Sequence, residues 1–482
     1  MTLSQRSTLA VTMLATFLAV MDQFIINVAL PAIHEDLHTS AAEAEFAISG
    51  YALVYGALLI TGGRLGDLFG FRRLFIIGVA TFTLASLGCG LAPTAEGLVA
   101  FRVIQGVGSA LFYPQILSFL QTAFDGQAKA RAFSMFGAAV GLASVCGQVL
   151  GGLLVSLDLF GLSWRPVFLI NVPLGLVALA GGARLPASRG TARPQLDMVG
   201  VICLTAALLL LSVPLVGGPG WGWPWWSYAL LGLTLPAALA FVVWEGRTAR
   251  RGRLPLIDGG LFRQRVFAAG NGLALAFFAG NAGLFFVLTL HLQQDLGYTP
   301  LRSGLTFAPL TLAFIVASLV APRIQHRAGL HVLTLGYGLN LLGIVALLVV
   351  ALAGDHGENA GIPWALLAAL TVIGLGQGLG VSPLMGAVLA DVPRRHAGAA
   401  SGVMETTAQV GAALGTVVVG LVFQSAPRHP YSASAFAEAL TADAGLALTA
   451  LFLMVFVLRR RNHEGPVTTS RTSAPTQASP HD

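Results

Sequence analysis

Charge is scarce in this 482-residue chain: Asp, Glu, Lys and Arg make up only 10% of it, against about 25% in ordinary globular domains. With 55% hydrophobic side chains, that scarcity excludes a soluble globular protein. Lysine is scarcer still. Lys129 stands alone against 26 arginines, a bias that reflects codon usage in a GC-rich genome more than chemistry. There are three cysteines, Cys89, Cys146 and Cys203, all inside apolar runs and without a CxxC pair, so a disulfide framework is excluded and small packing residues are expected. HExxH, a GxSxG elbow and a Cys/His cluster are all missing, which removes zinc-protease, α/β-hydrolase and metal-site readings. The glycines of GLGQGLG, Gly374 to Gly380, lie in an apolar run with no lysine after them, and Lys129 follows Ala128. A nucleotide-binding loop and ATP-driven pumping are therefore excluded.

Long apolar runs take the place of charge. Fourteen recur at about 9–31, 46–66, 74–92, 97–120, 131–156, 166–182, 197–217, 226–246, 267–291, 302–322, 330–352, 361–390, 399–424 and 439–459. Each is close to the ~20 residues that cross a hydrocarbon core roughly 30 Å thick. The expectation is an all-α polytopic membrane protein. Arg6 followed by an apolar run has the look of a signal peptide, but the run continues past Asp22 to Pro31 without a small-residue cleavage site, so an uncleaved first span is expected.

The formal net charge of +6 raises the question of a nucleic-acid partner, but its distribution answers otherwise. Basic residues fall in alternate connections: Arg64, Arg72 and Arg73; Lys129 and Arg131; Arg184, Arg189 and Arg193; Arg247 to Arg265; Arg323 and Arg327; Arg394 and Arg395; Arg459 to Arg461. With Arg6 and Arg471 they number 23, against three (Arg165, Arg302, Arg428) in the intervening connections; Arg102 lies inside a span. Arg- and Lys-rich short loops stay in the cytoplasm, so a multi-pass cell-membrane protein with both termini cytoplasmic is expected.

Two connections are long, Ala183–Leu196 and Gly246–Arg265, and they bracket spans seven and eight. The implied organisation is a six-helix bundle (9–182), linker loops with two inserted helices (183–265), a second six-helix bundle (266–460) and a Ser/Thr/Pro-rich disordered tail (461–482). Between the inserted helices, WGWPWW, Trp221 to Trp226, reads as a headgroup-level aromatic girdle, with carbohydrate stacking as the other reading.

Asp22 is a carboxylate inside the first span. A charge at bilayer depth costs roughly 2.5–3.5 kcal/mol on the gentlest scales, so it usually has a use. At 1.5 Å per residue Asp22 is about 20 Å from the cytoplasmic start, and Arg102, about five residues below the outer start of span four, reaches a similar depth. Two readings follow: alternation between paired and unpaired states, which lets a carboxyl take a proton on one side and release it on the other, or a permanent pair that locks helices. Glu405 lies roughly 9 Å into span thirteen and is a candidate for binding a cationic substrate, carrying a second proton, or snorkelling to the interface. Asp391, beside Arg394 and Arg395, reads as a solvated cap or salt-bridge partner, and His291 as a polar residue at the outer end of span nine.

After span two comes GGRLGDLFGFRR, Gly62 to Arg73. By itself it reads as a tight basic turn: glycines for close helix approach, Asp67 at a helix end, Arg72 and Arg73 at the interface. It also resembles the inter-span signature of the major facilitator superfamily, with Gly63, Asp67, Gly70, Arg72 and Arg73 at the motif positions. VAFRVIQGVGSA (Val99–Ala110) resembles that superfamily's fourth-span motif with its buried arginine. GLASVCGQVLGG (Gly141–Gly152) resembles the fifth-span antiporter motif, carrying Gly141, Gly147, Gly151 and Gly152. MDQFIINVALP, WRPVFLINVPLG and AGAASGVMETTAQVGAALG resemble stretches of the fourteen-span drug:proton antiporter branch. The resemblance covers about residues 9–460. Two departures stand out: Leu68 replaces a basic residue beside Asp67, and Gln148 replaces a proline after Gly147, so a kink there is not expected.

The resemblance implies a major facilitator fold, two six-helix bundles about a central cavity plus two peripheral helices. It implies a transporter rather than an enzyme: a monomer without cofactor that exports lipophilic compounds across a bacterial inner membrane in exchange for protons, with no nucleic-acid partner. Asp22 and Arg102 would couple protons, Gly63 to Arg73 would gate, and Glu405 would serve substrate or a second proton. A dedicated exporter or importer of one metabolite, peptide or siderophore, and a non-transporting membrane sensor, are the other readings.

Overall fold

A computed structural model describes residues 2–37, 41–158, 161–187, 197–253, 255–353, 364–390, 392–424 and 433–463. Asp391, Arg189, Arg193, Arg428, Arg471 and the tail beyond His463 lie outside them. Within them the chain is helical: α1 (Leu3–Leu37), α2 (Ala41–Phe69), α3 (Phe71–Gly90), α4 (Ala95–Thr122), α5 (Gly126–Leu157), α6 (Pro166–Leu169), α7 (Asn171–Gly182), α8 (Met198–Trp221), α9 (Trp225–Arg250), α10 (Gly259–Arg263), α11 (Arg265–Leu290), a π-helical turn (His291–Asp295), α12 (Pro300–Thr306), α13 (Ala308–Ala328), α14 (His331–Leu352), α15 (Trp364–Ala390), a 3₁₀ turn (Arg394–His396), α16 (Ala397–Gln424) and α17 (Ala433–His463).

Among the described residues thirteen helices are long and apolar enough to cross a membrane, and a shorter apolar segment, Pro166–Gly182, stands where the sixth of the fourteen runs is expected. That segment is split for a local reason. Pro166 starts it in the first helical turn, where a missing N–H costs nothing, and Pro173 then lacks the N–H that would bond the Leu169 carbonyl. The fifth span, with Gln148 where a proline is expected, runs as one unbroken helix from Gly126 to Leu157. At the basic end the helices outlast their apolar runs: α9 continues to Arg250 and α17 to His463. The second long connection is partly folded as well, with α10 and buried Leu256, Ile257 and Leu261.

The same pairings occur in each half. First packs on fifth (α1 on α5, α11 on α16), second on fourth (α2 on α4, α13 on α15) and third on fourth (α3 on α4, α14 on α15). The sixth spans, α7 and α17, each pack on the first and third of their own half. Between halves the contacts are reciprocal, α2 on α16 and α5 on α13. This is an internal parallel repeat about an axis along the membrane normal. The inserted pair α8 and α9 packs on itself, and α8 lies against α2 and α16. Asp197 ties the pair together: it caps α8 by accepting from Gly200 N at 3.0 Å and accepts from Trp244 Nε1 of α9 at 2.9 Å.

Candidate functional site

Glycines set the position of Asp22. A Cβ on Gly147 would come within 2.8 Å of the Met21 carbonyl, and one on Gly151 within 2.7 Å of the Ile25 carbonyl. The α5 backbone therefore lies against α1 on both sides of Asp22, fixing how α1 is rolled. Gly141, farther along, faces Phe314 and Ile315 of α13 across the two halves, and Gly152 is half-buried.

Asp22 and Arg102 meet. Arg102 Nη1 donates to Asp22 Oδ2 at 2.7 Å, and both side chains are essentially inaccessible. Gln105, one turn along α4, accepts from the same Nη1 at 2.6 Å and donates through Nε2 to Asp22 Oδ1 at 2.9 Å and to Ser86 Oγ at 2.7 Å. Asn171 at the start of α7 donates Nδ2 to Asp22 Oδ1 at 2.6 Å. The Arg102 guanidinium lies 4.4 Å from the centroid of the Tyr51 ring, and the Tyr51 hydroxyl donates to Ser109 Oγ at 2.8 Å. One carboxylate thus receives donors from α4 and α7 at once. A buried ion pair tolerates its desolvation only when its lone pairs are satisfied in this way, and a proton added to Asp22 would remove the charge around which the cluster is built.

Gln105 and Asn171 were missed as site residues, although both sit in the stretches quoted above. The readable signal for Gln105 is its i+3 spacing from Arg102; for Asn171 it is an amide in an otherwise apolar run. Tyr51 carried no signal of its own.

Glu405 is buried in α16, and its Oε1 has no hydrogen-bond partner. It does not snorkel. It lies within electrostatic reach of Tyr55 and Tyr113, which continue an aromatic file: Tyr51 stacks on Tyr55 at 5.7 Å between centroids, and Tyr55 meets Tyr113 edge-on at 5.9 Å. The file links the Arg102 guanidinium in one half to the neighbourhood of Glu405 in the other.

At the basic end the halves interlock. Asp67 accepts from the backbone N–H groups of Gly398 (2.8 Å) and Ala399 (2.9 Å) in the first turn of α16. Free amides and the helix dipole make that terminus an anion site, so the basic residue missing at Leu68 is not needed to hold Asp67. Gly63 and Gly398 touch backbone to backbone, leaving no room for a Cβ on either. Gln121 donates across the halves to the carbonyls of Leu389 (2.6 Å) and Val392 (3.1 Å). Gly70, at φ 95°, turns the chain from α2 into α3; Arg72 is half-buried and Arg73 exposed beyond it. Towards the other end α2 and α16 leave a cavity of about 350 Å³ bounded by α8, with Gly56, Gln409, Thr416, Ser212 and Phe286 in its wall. Gln409 is one helical turn beyond Glu405.

His291 lies in the π-helical turn, its Nδ1 2.5 Å from Asp295 Oδ2 and its ring stacked on Phe436 of α17 at 4.1 Å. Among the described residues no group of three or more His, Cys, Asp or Glu side chains is close enough to hold a metal.

The sequence matches the Major Facilitator Superfamily model over residues 12–198, 196–416 and 332–480. This chain belongs to the major facilitator superfamily. It is accordingly a multi-pass membrane transporter and not an enzyme, and its relatives lie in the drug-efflux branch. It is 38% identical to a probable actinorhodin transporter of Streptomyces coelicolor, covering 85% of this chain and 71% of that one. It is 34% identical to a tetracenomycin C resistance and export protein of Streptomyces glaucescens, covering 87% and 76%. In fold it is similar to the crystal structure of a human organic anion transporter, at TM-score 0.68 and 15% identity, covering 93% of this chain and 99% of that one.

Proposed function

We propose that the protein is a proton-driven antiporter of a bacterial cytoplasmic membrane that exports hydrophobic or amphiphilic small molecules by alternating access. The observation that carries this reading is the Asp22 cluster. A fully satisfied ion pair, sealed in one half and joined by an aromatic file to an unpartnered Glu405 in the other, adds little net stability to a protein that needs only to hold helices together, and the lone buried carboxyl costs some. The basic loops put the interlocked end in the cytoplasm, so the conformation is the one closed to the cytoplasm. Substrate would occupy the apolar space between α2, α8 and α16, with Gln409 and Glu405 as its polar contacts. Protonation of Asp22 from outside would loosen the cluster, and return of that proton to the cytoplasm would restore it.

The energetics are sufficient. A membrane potential of 100 mV contributes about 2.3 kcal/mol per proton and one pH unit about 1.36 kcal/mol. Together they oppose a gradient of neutral substrate on the order of 500-fold.

The deciding experiment is substrate-dependent proton movement in proteoliposomes, wild type against Asp22→Asn, over a panel of lipophilic cations and neutral drugs. Proton flux that tracks transport and vanishes in the variant is the expected result. Undiminished proton-coupled transport by Asp22→Asn would reduce Asp22 to a structural partner and shift the search to Glu405. The narrower reading, a dedicated exporter of one metabolite, is favoured by relatives named for single antibiotics, and a panel with one responder would select it.

A further inference from the structure

The internal repeat places α11 and α17 where α1 and α7 stand in the first half. In the first half those two helices carry Asp22 and Asn171, face to face. The equivalent seam in the second half also holds a carboxyl, on the opposite helix. Asp443 of α17 is fully buried, and a Cβ on Gly280 of α11 would lie 2.9 Å from its Oδ1. The surroundings differ sharply. Asp22 has a guanidinium and two amides, whereas neither oxygen of Asp443 has a hydrogen-bond partner. Ala439, Leu440 and Ala447 beside it belong to an apolar cluster. Position also argues against a role at the helix end, since Asp443 is eight residues inside the Ala435–Val455 span, roughly 12 Å from its start.

The helices packed against α17 offer no counter-charge. The titratable or charged groups of α11 reduce to Arg265 at its basic end. Those of α14 are His331 and Tyr337, that of α16 is Glu405, and those of the π-helical turn are His291 and Asp295. On α17 itself there are Glu438 and, beyond the span, Arg459 to Arg461 and His463. Among the described side chains none makes a hydrogen bond with Asp443. An ionised carboxylate in such a place is among the costliest groups a protein can bury, and it neutralises instead.

We propose that Asp443 is a second proton-binding site of the carrier, loaded in this conformation and unloaded when α11 and α17 part. The two halves would then use opposite logic at one repeated seam: a carboxylate held charged by partners in the first, a carboxyl held neutral by their lack in the second. The proposal rests on the proton-driven reading and deepens it.

Infrared difference spectroscopy on the purified protein tests the loaded state without turnover. The carbonyl stretch of a protonated carboxylic acid, shifted by deuterium exchange, is expected in wild type at neutral pH; one component of it, separate from any given by the buried Glu405, is lost in Asp443→Asn and regained in Asp443→Glu. Proton release on adding a transported drug in detergent tests the unloading, and is expected to fall by about one proton per carrier in Asp443→Asn. A carbonyl band left unchanged in intensity by Asp443→Asn, or a proton count unchanged by that substitution, overturns the proposal. Asn is isosteric and removes no hydrogen bond, so folding is expected to survive; if it does not, Asp443→Glu and Asp443→Leu carry the same two readouts. A wild type that moves no protons with substrate sinks the antiport reading itself. A wild type that does, beside an unchanged variant, sinks only the assignment of Asp443.

Discussion

Neutralising one member of the Asp22–Arg102 pair is expected to do more harm than neutralising both. The nitrogen and oxygen are 2.7 Å apart and out of water, so their attraction is about 6 kcal/mol at an effective dielectric of about 20. Taking each ion out of water costs several kcal/mol, so the pair as a whole nearly breaks even. Removing one partner leaves the other's desolvation without compensation, an expected loss of about 3–5 kcal/mol. In a folding unit of 150–250 residues each kcal/mol moves the melting temperature by about 2–4 °C. Asp22→Asn and Arg102→Gln are therefore each expected to lower it by roughly 6–20 °C, and Asp22→Asn/Arg102→Gln to recover most of that loss.

Thermal unfolding of the detergent-purified single and double variants measures the losses and the recovery. Additive losses in the double variant would mean that the two residues are not energetically coupled, and the reading of the cluster as a charge pair would fall with them.

Three further outcomes are expected. Asp67→Asn weakens two charge-assisted hydrogen bonds onto α16, each worth about 1.5–3 kcal/mol; cysteine labelling at the basic end should rise by about tenfold or more, and unchanged labelling would deny Asp67 a gating role. Gly56→Phe should fill the cavity between α2, α8 and α16 and abolish export of bulky drugs while leaving the melting temperature within a few degrees; unaffected export would place substrate elsewhere. Burial raises the Asp295 carboxyl above its ordinary value, against the lowering effect of its bond to His291. The folded protein then binds that proton more tightly than the unfolded chain, so stability falls as pH rises from about 3.8 towards the raised value, and Asp295→Asn should flatten that slope in a pH series of thermal melts.

Most of the architecture was readable because a membrane span leaves a long one-dimensional mark. Fourteen apolar runs, alternate basic loops and two long connections describe two bundles with an inserted pair. The Asp22–Arg102 contact was also within reach, since helical rise converts sequence position to depth and two opposite charges at one depth have little else to meet. What could not be read depends on rotation about helix axes. Asn171 and Gln105 complete the cluster only because Gly147 and Gly151 roll α1 towards α4 and α7, and a rise of 1.5 Å per residue carries no information about roll. Asp67 shows a second limit. Its partners are backbone amides 331 and 332 residues away, and a side-chain motif cannot point to a backbone donor.

Asp443 was passed over for a different reason. In the apolar run read at 439–459 it stands only four residues, about 6 Å, from the outer end, whereas the helix starts at Ala433. In a soluble protein a lone buried carboxyl would be a flaw; in the proton-driven carrier proposed above, the missing partner would be the means of holding a proton in one conformation until the other releases it. The differing treatment of the repeated seam would then give the two halves unequal responses to one proton concentration. A rigid rocking motion needs such an inequality if protonation is to favour one orientation over the other, because a step that stabilised both equally would shift nothing.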